Sequence, residues 1–187
     1  MKHLRPALVA AAALCAAAAH AQVYVGGSVG TTEANLDCAG TLGCNNDGNG
    51  GKLFAGYSFG NGLALEGVYQ NFGKATSTQS IGGTPTSVEL GSTGVGFGLA
   101  IGGAASEDWS FIVRVGMARN KVSSRIAGAT AGPSDGLQST QPYSGVSIGY
   151  RLTRKASLDL AFDGSRVKIS SGTYNVRAVG LGATLSF

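Results

Sequence analysis

The chain has 187 residues, 14 Lys and Arg against 10 Asp and Glu, and 31 glycines. That length suits one domain, and a formal net charge of +4 is too small to argue for a nucleic-acid partner. Glycine spread through short alternating segments points to many short strands, and after the first 21 residues no run is long and apolar enough for a membrane helix.

Residues 1–21 read as a secretory leader. Lys2 and Arg5 give a basic start, residues 7–19 an apolar run, and Ala19-His20-Ala21 a cleavage site before Gln22. Leu14 precedes Cys15 where a lipoprotein leader needs a small residue, so lipid anchoring is not expected. Cleavage would leave one domain, residues 22–187, with a formal charge of +2 and no histidine. Export alone fits a soluble periplasmic protein and an outer-membrane one equally well.

From there the chain alternates with a period of two. The first strand, 22–30, puts Val23, Val25 and Val29 on one face and Tyr24, Gly26 and Ser28 on the other. A polar loop, 31–50, follows. The second strand, 51–60, opposes Leu53, Ala55 and Tyr57 to Lys52, Phe54 and Gly56, and Asn61-Gly62 is a tight-turn signal. The third, 63–72, opposes Leu65 and Tyr69 to Glu66, Val68 and Gln70. A second polar loop is expected over 73–86. The fourth, 88–102, alternates Val95, Phe97, Leu99 and Ile101 with glycine and alanine. After a turn at 103–108 the fifth sets Trp109, Phe111, Val113, Val115 and Met117 against Ser110, Ile112 and Arg114. A long loop is expected over 123–138. The sixth, 142–152, opposes Val146, Ile148 and Tyr150 to Gly145, Ser147 and Arg151. A turn at 153–155 leads to the seventh, 156–169, with Leu158, Leu160 and Phe162 opposite Asp159 and Asp163. The eighth, 174–187, opposes Val179, Leu181, Leu185 and Phe187 to Gly180, Gly182 and Thr184.

Eight strands result, and their connections mostly alternate long and short. One face of each is large and apolar, the other small or charged. A soluble barrel of the lipocalin kind would carry bulky apolar groups inside. Apolar groups outside, sorted connections and an even strand count instead predict an eight-stranded antiparallel up-and-down transmembrane β-barrel.

Such a lumen is just wide enough for side chains to fill. Lys52, Glu66, Arg114, Arg151, Asp159 and Asp163 all have inward parity, and buried charges must pair. They are expected to form a network that plugs the interior; a gated ion path of switchable salt bridges is the alternative. Outward parity above the apolar rows falls to Arg119, Lys121, Arg166, Lys168 and Arg177. At that height sit the phosphates of lipopolysaccharide. Two readings of this collar stay open: lipopolysaccharide binding, or ordinary snorkelling. Cys38 and Cys44 share the first loop of an exported chain, so a disulfide is expected. Asn45, Asp47 and Asn49 sit at alternate positions as in a calcium loop, but the twelfth position is Gly56 rather than glutamate. No metal and no cofactor are expected.

The runs Gly51-Lys52-Leu53-Phe54-Ala55-Gly56-Tyr57-Ser58-Phe59 and Leu63-Ala64-Leu65-Glu66-Gly67-Val68-Tyr69, with residues 23–30 and 179–187, resemble the OmpA-type family of small outer-membrane barrels. The resemblance implies a place for Glu66 in the lumen network and recognition of Phe187 by the barrel-assembly machinery. Larger members continue into a peptidoglycan-binding domain after the barrel; this sequence ends at the barrel, so wall anchoring is not implied. Lipid A-modifying enzymes of similar size pair a histidine with a serine, and the chain beyond residue 21 has no histidine, so an enzyme is disfavoured. The expectation is a monomer in the outer membrane with a structural and surface-interacting role. Host or phage ligands would meet its loops. A narrow diffusion channel is the alternative.

Overall fold

The computed structural model describes residues 22–35, 38, 41–81, 83–127, 132–169 and 172–187, the side chains of 81, 127, 132–136 and 169 aside. The expected leader lies outside these residues. The strands are β1 (Gln22–Ala34), β2 (Gly43–Asn45), β3 (Asp47–Ser58), β4 (Leu63–Ile81), β5 (Thr84–Ala104), β6 (Trp109–Ala127), β7 (Gly132–Arg151), β8 (Ala156–Ile169) and β9 (Gly172–Ser186). Every long strand pairs antiparallel with its neighbours, in the order β4-β3-β1-β9-β8-β7-β6-β5, and β5 returns to β4. Eight strands therefore close a ring. The seam is β1 against β9, running from Tyr24 opposite Ser186 to Ala34 opposite Val176.

The faces lie as alternation dictates. Val29, Leu53, Leu65, Val95, Phe97, Leu99, Leu158, Leu160, Leu181 and Leu185 point out and are exposed, whereas Glu66, Arg114, Asp163 and Ser147 point in and are buried. Exposure of that many large apolar side chains is unfavourable in water and favourable in lipid. Trp109 packs edge-on against Tyr150, and Tyr57 against Phe59, at ring-centroid distances of 5.2 and 5.4 Å. Both pairs stand near the short turns at 59–62, 105–108 and 152–155, where an aromatic girdle meets the headgroups. Positive φ of 82° at Gly60 and Gly62 lets the first of these turns close.

The opposite end differs from the expected loops. Residues 73–81 and 84–86 are not loop but the outer parts of β4 and β5, 19 and 21 residues long and paired as far as Ile81 opposite Thr84. Residues 123–138 likewise belong largely to β6 and β7, and Asp135-Gly136 lies within β7 rather than in a turn. The expected loop at 31–50 holds the end of β1, the start of β3 and the short strand β2, which pairs with β4 from Gly43 opposite Thr78. About 9–11 residues cross a bilayer, so these hairpins stand well beyond it. Out there an outward apolar face is not needed. The alternation inverts and then blurs, which is why the sequence reads as a loop. Outward Arg119, Lys121, Ser123 and Arg125 are exposed while inward Val122 is buried. A bulge between Asn71 and Lys74 also shifts the β4 register against β5.

The ring is continuous only through the apolar belt. The β3–β4 ladder ends at Gly51 opposite Asn71, and the β7–β8 ladder at Tyr143 opposite Ser165. Above these points β8-β9-β1-β3 and β4-β5-β6-β7 face one another across breaks in the direct ladders, rejoined by backbone at β2, which follows β1 in the chain and pairs with β4 from Gly43 opposite Thr78. They are tied by an apolar cluster of Phe72, Val122, Val167 and Val176. Thr32 Oγ1 donates to Phe72 O at 2.7 Å, and Asn120 Nδ2 to Ser165 Oγ at 3.0 Å and Arg166 O at 2.6 Å.

Leu181, 70% exposed and paired with Leu160, stands in the middle of the belt. Leu181→Arg is expected to lower the stability of liposome-folded protein by about 2–4 kcal/mol, read as a shift of the guanidinium unfolding midpoint. A change near zero would contradict lipid exposure at this site.

Candidate functional site: the lumen and the outer collar

Two ion pairs cross the lumen. Arg114 Nε on β6 donates to Glu66 Oε2 on β4 at 2.8 Å, with the two side chains 3% and 1% exposed. The other Glu66 oxygen accepts from the Tyr24 hydroxyl at 2.7 Å, and Arg114 Nη1 donates to Ser147 Oγ at 2.7 Å. Four strands thus meet on one carboxylate–guanidinium pair. One layer outward, Lys52 Nζ on β3 reaches both carboxylate oxygens of Asp163 on β8, at 2.6 and 2.7 Å. The Phe54 ring lies between the layers, 4.7 Å from the Arg114 guanidinium carbon and 5.5 Å from Lys52 Nζ. Its quadrupole favours both cations.

Small residues make this packing possible. Tyr24 pairs with Gly56 and Phe54 with Gly26. A Cβ at Gly56 would strike the Tyr24 ring, and one at Gly26 the Phe54 ring. The glycine-rich inner face is the space these large groups occupy. Beyond the Lys52–Asp163 layer, Gln70 borders a cavity of about 20 Å³, room for a single water. The apolar cluster around Phe72 and Val122 borders another of about 30 Å³. The apolar cluster adds to an interior expected to be mostly small or charged, with Phe54, Val68 and Ile112 among its inward groups. Its members lie beyond the belt, where inward faces turn apolar.

The six charged residues of inward parity do not form one network. Lys52, Glu66, Arg114 and Asp163 make the two pairs. Asp159 instead accepts from Thr184 Oγ1 at 2.6 Å and Ser157 Oγ at 3.1 Å. Arg151 is exposed at the short-turn end and takes part in no ion pair among the described residues. The ring widens into solvent there, so its charge needs no partner. Parity placed Tyr24 and Ser147 inward without revealing their hydrogen bonds. A tyrosine in the same cross-strand row as a buried glutamate, two strands away across Gly56, is a signal that could have found the first.

The collar residues Arg119, Lys121, Arg166, Lys168 and Arg177 are all exposed on the outer surface. Arg119 and Lys121 are two residues apart on β6, as are Arg166 and Lys168 on β8. Arg177 on β9 faces Gly164 of β8 and Glu33 of β1. They form two basic patches separated by β7, not an even ring. Arg125 continues the first patch upward on β6; sequence reasoning left it in a loop. Cys38 and Cys44 are joined in a disulfide, Cα atoms 5.9 Å apart, beside β2. Among the described residues no group of three His, Cys, Asp or Glu side chains is arranged to hold a metal.

Arg114→Ala leaves the Glu66 carboxylate buried with only Tyr24 as partner. It is expected to cost about 3–5 kcal/mol, measured by equilibrium unfolding in liposomes. Glu66→Ala with Arg114→Ala should recover part of that loss. A double variant less stable than Arg114→Ala alone would contradict the pairing.

Comparison with known proteins fits this geometry. The chain resembles solved barrels at low identity. Ail, the attachment invasion locus protein of Yersinia pestis, is 13% identical with a TM-score of 0.57, over 90% of this chain and 99% of that one. Neisserial surface protein A is 16% identical at 0.62, over 88% and 97%. The N-terminal barrel of Pseudomonas aeruginosa OprF is 16% identical at 0.52, over 89% and 97%. No curated protein matches by sequence. The family model described as outer membrane protein beta-barrel domain matches residues 7–187, and the chain belongs to that family.

Proposed function

We propose that the protein is a plugged outer-membrane barrel whose role is structural and surface-interacting: it holds its place in the outer leaflet and presents rigid hairpins and two basic patches to polyanionic surface molecules. One observation carries this reading. The lumen is crossed by the Glu66–Arg114 and Lys52–Asp163 layers, while the chain's length is invested in β4–β5 and β6–β7 hairpins beyond the belt. A channel would need an open axis instead. Removal of residues 1–21 belongs to the same reading. So do recognition of Phe187 by the barrel-assembly machinery and a monomeric state. Phe187 is exposed and its backbone N–H donates to Val23 O at 3.0 Å, which leaves the ring free for recognition. Without a histidine beyond residue 21, and with Asp159, the carboxylate that Ser157 bonds, buried inside the ring rather than at a lipid-facing groove, the chain is read as a non-enzyme.

The ligand class follows from the patches. Arg166, Lys168 and Arg177 stand together on β8 and β9 just above Phe162 and Val179. Guanidinium groups at that height suit the phosphates of lipopolysaccharide. The solved Ail structure contains the heparin analogue sucrose octasulfate, a polyanion of comparable chemistry. Reversing Arg166, Lys168 and Arg177 to Glu is expected to abolish the rise in thermal stability that lipopolysaccharide gives the detergent-folded protein. An unchanged rise would leave snorkelling as the account of the patch.

The second reading, a narrow diffusion channel, rests on the pairs themselves, since two ion pairs on one axis could exchange partners. Planar bilayers containing the purified protein are expected to remain without steady conductance steps. Steady openings that vanish or enlarge in Arg114→Ala would overturn the plug.

A further inference from the structure

At the end bearing Gln22, Phe187 and the short turns, the ring opens into a vestibule of about 310 Å³. Arg151, Arg154 and Lys155 line it along the β7–β8 turn, and hydroxyls of Ser110, Ser157 and Thr184 line its walls. The ion pairs among the described residues are Lys52–Asp163, Arg114–Glu66 and Lys74–Glu89, so all three vestibule cations lack a carboxylate within 4.0 Å. Acids at this end of the ring include Glu107 and Asp108 on the neighbouring turn and Asp159 in the wall. Asp108 meets Arg151 only through its backbone carbonyl, at 2.7 Å from the Arg151 N–H. Asp159 is already held by Ser157 and Thr184.

The turn is also built rather than loose. Leu152 N–H donates to Ala156 O at 2.9 Å, and Thr153 Oγ1 accepts from the backbone N–H of Lys155 and Ala156 at 3.2 and 3.1 Å. Three cations are thereby carried on one short rigid turn. They differ from the outer patches in shape of surface. Those stand on a convex wall, whereas these border a concavity of low-dielectric walls, where like charges reinforce one another's field. A single carboxylate would neutralise only one of them. A phosphate monoester brings about two charges and three acceptor oxygens, which suits two guanidinium forks and an ammonium together; the wall hydroxyls of Ser110, Ser157 and Thr184 already donate to Gly149 O and Asp159.

We infer that the vestibule is a binding site for a phosphate-bearing anion, entered from the periplasmic side. Two sources share that chemistry: a soluble phosphomonoester, or the headgroup of phosphatidic acid, an inner-leaflet phospholipid that is itself a phosphomonoester, reaching over the turn at 152–155. The inference stands apart from the outer patches and from the plug.

The test uses the folded, isotope-labelled protein. Glycerol 3-phosphate is titrated into protein in zwitterionic detergent, and amide shifts at Ser157, Thr184 and Ser186 are followed. In parallel, shifts are compared between nanodiscs of phosphatidylcholine and of phosphatidylcholine containing phosphatidic acid. Saturable shifts with the soluble probe, weakened by salt, indicate the first source. Shifts confined to the discs containing phosphatidic acid indicate the second. In either case R151Q/R154Q/K155Q should weaken binding by about tenfold or more, while Lys74→Gln at the far end should not. Arg154→Glu alone, on a fully exposed turn, should weaken it too, and heat-dependent gel migration checks that each variant is folded. Absence of specific shifts in both arms, or equal binding by the triple variant, overturns the inference.

Discussion

Hydrocarbon offers no partner to a backbone N–H or C=O, and the rest of this structure depends on that constraint. A sheet can cross a bilayer only if it has no edge, so β1 must find β9 and β4 must find β5. Closure fixes the alternation: one face of every strand meets lipid and the other meets seven neighbours across a narrow axis. The ring is also continuous only where the constraint applies. Beyond the belt, where water can satisfy an edge, the β3–β4 and β7–β8 ladders end, and β2 renews a backbone ladder to β4. Side chains complete the union of the two halves. Phe72, Val122, Val167 and Val176 pack between them, and Thr32 and Asn120 bond across.

The same boundary inverts the polarity of single strands. Along β6, Phe111, Val115 and Met117 face out below, and Arg119, Lys121 and Arg125 face out above. Inward, Arg114 gives way to Ala118 and then Val122. Apolar groups turn to lipid where there is lipid and to one another where there is water. The lumen charges are a consequence. A ring this small cannot hold bulk solvent, so the carboxylate of Glu66 is satisfied by Arg114 and Tyr24, and that of Asp163 by Lys52. The glycines opposite Tyr24 and Phe54 give up side chains so that these partners fit.

Period-two alternation made the eight ring strands, their facing and the short turns legible, because within the belt every residue obeys one rule. Lys52, Glu66, Arg114 and Asp163 were placed inward by counting parity alone. The pairing of Lys52 with Asp163, 111 positions apart, was not legible, since it depends on the stagger of strands around the ring. Arg151 shared their parity and was expected near the periplasmic rim; that the ring opens there into solvent, leaving its charge outside the two pairs, is what parity does not show. The hairpins at 73–86 and 123–138 were read as loops because their alternation reverses beyond the membrane and a bulge at Asn71 shifts the count. The basic patches were found, yet their separation by β7 emerges only from strand order.

Membrane-set polarity is the claim on which this account stands, and a nitroxide scan along β6 tests it most directly. Single cysteines at successive positions from 109 to 125, in a Cys38→Ser/Cys44→Ser background, would be labelled and the protein folded into liposomes. Collision with oxygen and with a water-soluble nickel complex would then be compared. The account predicts high oxygen and low nickel collision at 111, 113, 115 and 117, low collision with both at 112, 114 and 118, and nickel-dominated collision at 121, 123 and 125. Oxygen-rich labels at the even positions, or nickel access at 113 and 115, would contradict it.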